Sequence, residues 1–502
     1  MSDLPVPDPD CDSCAARDAR IGALEAEVAG LRAQAEQVGE LRAQIALLER
    51  ALSRNSGNSS MPPSGDDAPG RTPPRKQRRA AQREAGKKRK RGKQPGAPGA
   101  AMTWAEPDDT RDYYPEGACE CGAALAGARD LGVARSFQQL EIPEPSARRV
   151  QHDLHRGVCG CGREHVAARP PGVPDVPLSI GPQLRALAVY LVIYQHVPVE
   201  RCRELIADAT GAVVSAGFIH SCLRQAASLV ADVITLIKTL ITAAHVAGFD
   251  ETTLRAGPAG QKMYVHGAFT EQHSLFFLGA RTLASMREFG ILPHFRGVVV
   301  SDRYVNYFHG SWEHLAGHQA CLAHLLRDYQ DAAETYPGAV WPEQAQRALR
   351  GLIRAWHDAR GAGLAAIPAD TADPLILEFR RAVRAGLSAV PRIPGPKNTT
   401  AQHPGRDLLE FCSETGRENA VLRFTADTRI WPTNNISERG VRPNKTQQNI
   451  SGRLTSEETT QDRLDIRSYI DTARKHGQDV LTVLRVLFTG NPWRPPVAVL
   501  SP

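Results

Sequence analysis

The sequence predicts a multidomain α/β protein, and three features of its pattern indicate this fold class. First, 502 residues are too many for one ordinary hydrophobic core, so we expect several domains. Second, a heptad-like stretch over residues 18–52 predicts a coiled coil on the N-terminal side of these domains. Third, from residue 246 onward short β-branched runs stand among helical patterns, which is typical of an α/β domain.

Apolar residues in the leading stretch follow 3-4 spacing. The stripe begins with Ile21, Leu24 and Val28 and, after a three-residue step, continues from Leu41 to Leu52. Glu and Arg fill much of the remainder, which favours self-association into a homodimer or a higher oligomer. The alternative is a single amphipathic helix that packs on its own domain. We assign residues 1–54 to the coiled coil.

Positive charge is concentrated in one segment. Between Arg71 and Lys93 there are 12 Lys or Arg residues and one acid, Glu84, whereas acids outnumber bases in the rest of the chain. Residues 55–103 are also rich in Asn, Ser, Gly and Pro, so we expect a disordered basic linker. DNA is the expected partner, and a solvated tail without a specific ligand is the alternative. The residues expected to contact DNA are Arg75, Lys76, Arg78, Arg79, Lys87, Lys88, Arg89, Lys90, Arg91 and Lys93.

No secretory or membrane segment is predicted. The first ten residues hold no hydrophobic stretch, and no uninterrupted apolar run approaches the roughly 18 residues of a membrane span. We therefore expect a cytoplasmic protein without a membrane partner.

Two cysteine pairs lie in residues 104–175, where the pattern indicates strands and turns. Disulfides are disfavoured in the cytoplasm, so clustered cysteines indicate a metal. We predict one Zn²⁺ in a tetrahedral thiolate site, and four reduced thiols in a turn-rich domain are the alternative. The predicted zinc ligands are Cys119, Cys121, Cys159 and Cys161. A further pair, Cys11 and Cys14, is left unassigned.

Residues 176–245 form the next predicted domain. Its helical patterns are Pro182–Gln195, Val199–Thr210 and Ser215–Leu240. Short helices joined by a turn at this spacing resemble a helix-turn-helix, which would make the domain a DNA reader. A plain helical scaffold is the alternative.

Two predicted strands each end in an aspartate. Asp250 follows the run from His245, and Asp302 follows the β-branched run from Gly297. Carboxylates at neighbouring strand ends can converge, and hard oxygen ligands suit Mg²⁺ or Mn²⁺. Two such ions about 3.5–4 Å apart can assist an in-line displacement at phosphorus. A turn or cap role is the alternative for both aspartates, and Glu251 should point to the opposite face of its strand.

The third candidate acid is Glu438. Asn435 and Glu438 have the spacing of a capping box, so a helix cap is the alternative to a metal ligand. Arg442 and Lys445 lie at i+4 and i+7 from Glu438, roughly on its face. With Arg439, they are candidate DNA contacts, although Arg442 could instead pair with Glu438.

An ordered set of motifs resembles the transposases of the insertion-sequence-66 family over nearly the whole chain. Each motif is weak alone, whereas their order is specific. In the family the cysteine pairs are usually Cys-x-x-Cys, whereas here only one residue lies between the two cysteines of each pair. The matching motifs are the coiled coil, Asn58–Ser64, Gln94-Pro95-Gly96, the paired cysteines, Asp250-Glu251-Thr252, Val300–Tyr304, Cys321–His324, Asn434–Arg439, Gln447–Arg453, Ser468–His476 and Gly490–Trp493.

The resemblance implies an RNase H-like catalytic core in which Asp250, Asp302 and Glu438 hold two Mg²⁺ or Mn²⁺ ions. We place this core in residues 246–455, with a helical insertion at about 325–425 and a C-terminal helical region at 456–502. Cys321 and His324 match the family's Cys-x-x-His signature. Their role stays open between a catalytic or metal-binding function and a packed face.

The implied activity is metal-dependent cleavage and strand transfer of DNA during transposition of an insertion sequence. Its partners would be the element ends, the target DNA and accessory transposition proteins, in the nucleoid region of a bacterial cytoplasm. The alternative is an inactive or domesticated transposase that acts as a zinc-containing DNA-binding protein.

Overall fold

The computed structural model has a mixed α/β architecture, as predicted. It describes residues 17, 19–32, 34, 37–38, 45, 103–142, 146–170, 173–258, 260–395 and 402–497. Residues 19–32 are helical and exposed. The predicted basic linker, except for its last residue, lies outside the described residues, as do Cys11 and Cys14.

Helices surround a central sheet in the larger part of the chain. In chain order they are α1 (Pro182–Val189), α2 (Val199–Thr210), α3 (Ala216–Thr242), α4 (Leu283–Phe289), α5 (Leu322–Thr335), α6 (Trp341–Gly361), α7 (Ala369–Ala389), α8 (Arg406–Cys412), α9 (Glu418–Leu422), α10 (Asn435–Ser451), α11 (Glu457–Lys475) and α12 (Val480–Leu487).

The cysteine-containing segment forms a small hairpin. Strand β1 (Arg156–Val158) pairs antiparallel with β2 (Glu164–Val166). Within 103–142 and 146–170 every residue is exposed or half-buried. The predicted turn-and-strand character is confirmed, and the described part of this segment has no apolar core of its own.

The three predicted helices before residue 245 are confirmed. Pro182 opens α1, which continues as a π-helical turn over Tyr190–Tyr194. Gly211, with φ of 70°, ends α2 in the left-handed conformation. Ser215 caps α3, because its side chain accepts the Phe218 backbone N–H at 3.1 Å.

Helix α3 is, among the described residues, the one helix that could span a membrane by length and composition alone. The core helix of a soluble protein passes the same test. The buried side chains of α3, from Ile219 to Ile241, join the same apolar cluster as Tyr469 and Ile470 of α11. This packing accounts for its apolar character.

A five-stranded sheet lies at the centre in the order β5-β4-β3-β6-β7. Its strands are β3 (Val246–Leu254), β4 (Met263–Phe269), β5 (Ser274–Gly279), β6 (Val298–Ser301) and β7 (Gly317–Ala320). The pairs β3–β4 and β4–β5 are antiparallel, whereas β3–β6 and β6–β7 are parallel. Both predicted acid-bearing strands are confirmed, but only β6 ends at its aspartate, since β3 continues past Asp250 to Leu254. Strand β7 is a further strand that the pattern did not indicate.

The helices α5 to α9, which follow β7 and precede α10 in the chain, form a helical layer. Their buried residues, including Tyr329, Leu349 and Phe379, share an apolar cluster with Val298 and Val300 of β6. The expected helical insertion is therefore packed against the sheet.

Candidate active site

Asp250 lies in the middle of β3, just beyond the residues that pair with β6, and Asp302 directly follows the parallel strand β6. In the parallel pair of β3 and β6, Gly248 stands opposite Val300. Continuing this register by two residues sets Asp250 beside Asp302, which follows the last residue of β6. Strand pairing thus brings the two aspartates together although they are far apart in sequence.

Glu438 lies in the first turn of α10. Asn434 binds the start of this helix to the sheet. The Asn434 side-chain amide donates to the Phe249 carbonyl at 2.7 Å. Its backbone N–H donates to the Cys321 Sγ at 3.1 Å, and its Oδ1 accepts from the Ser437 hydroxyl at 2.6 Å. These contacts place the third carboxylate beside the middle of β3, next to Asp250.

The capping-box interpretation of Glu438 is wrong. The residue that precedes the helix is Asn434 rather than Asn435, and no side chain caps this helix end. Glu438 therefore lies one position beyond the one that a capping box requires. Glu438 Oε1 is buried and has no hydrogen-bond partner among the described residues. No hydrogen bond occupies this oxygen, although the His324 Nδ1 lies 3.8 Å away.

The carboxylates repel one another electrostatically. Burial, followed by the charges of Glu251, Asp302 and Glu438, raises the pKa of Asp250 well above its usual value. Burial and then Glu251 also raise the pKa of Asp302, against the opposing effect of a 2.9 Å hydrogen bond from the Tyr304 backbone N–H. A site that concentrates negative charge in this way favours a bound cation.

Glu251 has hydrogen-bond partners of its own. Its carboxylate accepts hydrogen bonds from the Arg281 guanidinium at 2.6 Å and from the Tyr307 hydroxyl at 2.7 Å. Arg281 also lies 3.9 Å from Asp302 and over the ring of Tyr304. This arrangement fits a structural role for Glu251 and supports the choice of Asp250.

Cys321 and His324 lie beside Glu438, so the sequence signature belongs to this site. The ligand atoms of Cys321, His324 and Glu438 lie within 4.8 Å of one another. The His324 Nδ1 is 3.8 Å from the Glu438 Oε1. Burial raises the pKa of the Cys321 thiol to about 11 and lowers that of His324. The trio could hold a metal ion, or the two side chains could orient Glu438.

Two other acids near the end of the insertion are bound by arginines. Glu418 accepts two hydrogen bonds from Arg380, each 2.9 Å, and Glu414 pairs with Arg384 at 2.6 Å. These ion pairs make both acids poor alternatives to Glu438 as a third metal ligand.

The two Cys-x-Cys pairs adopt matching turns. In each, the glycine after the second cysteine has a positive φ, 87° at Gly122 and 82° at Gly162. The backbone N–H of that glycine donates to the carbonyl of the first cysteine, Cys119 or Cys159, at 2.7 and 2.8 Å. No three of the four cysteines form a metal-ligand cluster in the described part of the chain. Zinc binding here stays a prediction.

The candidate DNA contacts divide into two sets. The ten candidates in the basic linker, from Arg75 to Lys93, lie outside the described residues. Arg439 and Arg442 are exposed on α10, and Lys445 is half-buried. Glu438 and Arg442, both described, form no ion pair with each other, which leaves Arg442 available to an anionic ligand.

Comparison with known families gives two matches. A family model described as Transposase IS66 family matches residues 178–462, more than half of the chain. A second, described as a family of unknown function (DUF6444), matches residues 11–102. No curated protein matches the chain significantly. The first match covers Asp250, Asp302 and Glu438, and the second covers the predicted coiled coil and basic linker.

Proposed function

Because the chain belongs to the IS66 transposase family, we propose that it catalyses metal-dependent phosphodiester cleavage and strand transfer during transposition of an insertion sequence. The observation that carries this proposal is the convergence of Asp250, Asp302 and Glu438 from β3, the end of β6 and the start of α10. Three carboxylates at one point are the donor set that hard divalent cations bind.

We further propose that the five-stranded sheet is an RNase H-like core. Its central strand carries Asp250, the parallel neighbour leads to Asp302, and Glu438 follows a layer of helices. This order of two acids, a helical insertion and a third acid is the one that the family resemblance implies.

The residues present fit a pair of Mg²⁺ or Mn²⁺ ions. The buried Glu438 Oε1 has no hydrogen-bond partner among the described residues, and the pKa of Asp250 is raised by burial and then by neighbouring carboxylates. Both features are those of ligands that need a counter-charge. When bound, the ions would activate the attacking oxygen and stabilise the leaving oxygen of an in-line displacement.

The protein's own contribution is binding and orientation. Asp250, Asp302 and Glu438 would hold the cations that bind and orient the reacting phosphate, and no side chain is needed as a nucleophile. In cleavage, a water oxygen bonds to phosphorus, the P–O3′ bond breaks and the leaving 3′-oxygen takes up a proton. In joining, the freed 3′-hydroxyl attacks a target phosphodiester, releasing a target 3′-hydroxyl.

The remaining segments are assigned to binding. We propose that the basic linker and α10 contact DNA, that the coiled coil brings two protomers and hence two element ends together, and that the four exposed cysteines bind Zn²⁺. Metal analysis of the purified protein, compared with a Cys119→Ser, Cys161→Ser variant, decides the zinc assignment.

A cleavage and strand-transfer assay tests the proposed function. Its substrate is labelled DNA from either side of the coding sequence, with and without Mg²⁺. We expect wild-type activity that requires the metal. Asp302→Asn and Glu438→Gln should abolish cleavage while DNA binding persists, because an amide cannot supply the charge that a divalent cation needs.

Glu414→Gln is the matched control. It makes the same chemical change at an acid that Arg384 binds, so full activity is expected. An active Glu438→Gln protein would show that another residue is the third metal ligand. A wild-type protein that binds the DNA but never cuts it would favour the inactive or domesticated alternative.

A further inference from the structure

A groove lined by arginines lies along α10 directly after Glu438. It lies between the π-helical turn after α1 and the helices α10 and α11, and it measures about 350 Å³. We call it the arginine groove and define it by Tyr194, His196, Arg439, Arg442, Arg467 and Arg474. Three segments that are distant in sequence therefore meet around one cationic surface.

Most of the positive charge in the arginine groove is not neutralised by acids. Arg467 is buried and pairs with Asp471 at 2.9 Å. Arg439, Arg442 and Arg474 are exposed, and none of them has an ion pair with any described residue. Three unpaired guanidinium groups beside a buried fourth one favour an anionic ligand with several negative charges.

The groove floor offers an aromatic ring together with the cations. The guanidinium carbons of Arg467 and Arg474 lie 5.3 and 5.1 Å from the centre of the Tyr194 ring. His196 beside this ring is half-buried, and burial, followed by the charges of Arg467 and Arg463, lowers its pKa to about 4. Guanidinium groups held on an aromatic ring lose less freedom when they bind a phosphate.

Unusual backbone geometry occurs at the same place. Tyr194 ends a π-helical turn, and His196 is the one non-glycine residue with a positive φ, 60°, in the described part of the chain. The Ser451 hydroxyl donates to the His196 carbonyl at 2.7 Å and ties this bend to the end of α10. Such conformations cost free energy and cluster at functional sites.

Buried donors without partners lie next to the groove. A small adjoining cavity shares His196 and Arg467 with it and is also lined by Asn444 and Gln447. The side-chain amide nitrogens of Asn444 and Gln447 are buried and have no hydrogen-bond partner among the described residues. Two unsatisfied donors and a buried arginine make this surface complementary to acceptor oxygens.

We propose that the arginine groove binds the phosphodiester backbone of the DNA strand that leaves the catalytic carboxylates. Arg442 lies one turn from Glu438 on α10, so a strand held at the carboxylates can continue into the groove. This inference rests on the proposed function for the identity of its ligand, and it adds residues of α11 and of the segment after α1 to the DNA contacts proposed for α10.

Salt-dependent DNA binding by the full-length protein tests the proposal. The probe is a fluorescent 30-base-pair duplex from the DNA beside the coding sequence, titrated without Mg²⁺ at several salt concentrations. In an Arg442→Gln, Arg474→Gln variant we expect weaker binding. Its slope of log K against log salt should shrink by about 0.9 for each phosphate that the protein no longer neutralises.

The control is an Arg350→Gln, Arg354→Gln variant, which removes two exposed arginines from α6. It should keep the wild-type slope. A folded groove variant with the wild-type slope and affinity would overturn the proposal. The wild-type protein could fail to cleave in Mg²⁺ while the groove variant has a smaller slope of log K against log salt. This result would support DNA binding by the groove and contradict the catalytic proposal.

Discussion

At the scale of single residues, the main feature of the site is electrostatic repulsion between its carboxylates. Asp250 and Asp302 are held together by strand register, and Glu438 is brought to them by the bonds of Asn434. In the absence of a cation this arrangement opposes folding, because ionised carboxylates must approach one another away from bulk water. Function and stability are therefore expected to conflict at these positions.

Replacing Asp250 with Asn should stabilise the metal-free protein while abolishing cleavage. The pKa of Asp250 in the folded protein is raised above its usual 3.8 by burial and neighbouring acids. The folded state thus holds the proton to higher pH than the unfolded chain, and wild-type stability falls as pH rises above about 4. We expect Asp250→Asn to gain about 0.5–2 kcal/mol at neutral pH.

Thermal unfolding at a series of pH values, with and without Mg²⁺, measures this effect. Mg²⁺ should raise the unfolding temperature of the wild type and leave the variant nearly unchanged. Equal responses of the two proteins to Mg²⁺ would contradict a metal-binding role for Asp250.

Cys321 is expected to act as a positioning residue for Glu438. Cys321→Ala removes the acceptor of the Asn434 N–H, and an unsatisfied buried donor costs about 1–3 kcal/mol. Cleavage should slow at saturating DNA while DNA affinity is unchanged, and Cys321→Ser should restore part of the rate. Cys222→Ala, which truncates another buried cysteine on α3, should leave the cleavage rate intact.

At the scale of elements, the close approach of α10 to the sheet decides where Glu438 lies. Glycines make this approach possible. A Cβ at Gly440 of α10 or at Gly267 of β4 would overlap the ring of Phe269, and one at Gly248 of β3 would overlap the Ser437 side chain. The helix rests directly on the strands because these positions carry no side chain.

Gly440→Ala should therefore displace α10. We expect a loss of about 1–3 kcal/mol from overpacking, and a larger loss of cleavage than of DNA binding. Denaturant unfolding and the cleavage assay measure the two effects. Gly361→Ala at the end of α6 is the control, since a Cβ there meets nothing and should stabilise by about 0.4–1 kcal/mol. A stable, active Gly440→Ala protein would show that α10 tolerates a shift.

At the scale of the whole molecule, the described N-terminal helix presents apolar side chains to solvent. Ile21, Leu24, Val28 and Leu31 are each about half exposed in one chain. A stripe of this kind is stable when a second helix covers it. We expect the protein to be a dimer or higher oligomer through this helix.

Leu24→Asp with Leu31→Asp should lower the oligomeric state and reduce strand transfer more than cleavage, because two element ends would no longer be held together. Light scattering after size-exclusion chromatography measures the mass. Ala23→Asp with Ala29→Asp adds the same charge outside the stripe and should leave the mass unchanged. An unchanged mass in the stripe variant would place the oligomer contact elsewhere.

The sequence by itself determined the family, the mixed α/β class and most local elements, because these depend on short patterns. The β-branched run before Asp302 predicts a buried strand, and the helices before residue 245 are set by their apolar periodicity, by Pro182 and by Gly211. The short strand β7, which has no strong β-branched run, was missed because its pairing with β6 forms only in the assembled sheet.

The tertiary structure decided the geometry of the site. Asn435 has the spacing of a cap, but Asn434 precedes the helix because Phe249 and Cys321 bind it from other elements. The arginine groove joins residues 194–196 to residues 439–474, and no local pattern connects them. Local periodicity fixes helices and strands one at a time, whereas the position of a side chain relative to a distant one depends on packing that only the folded chain supplies.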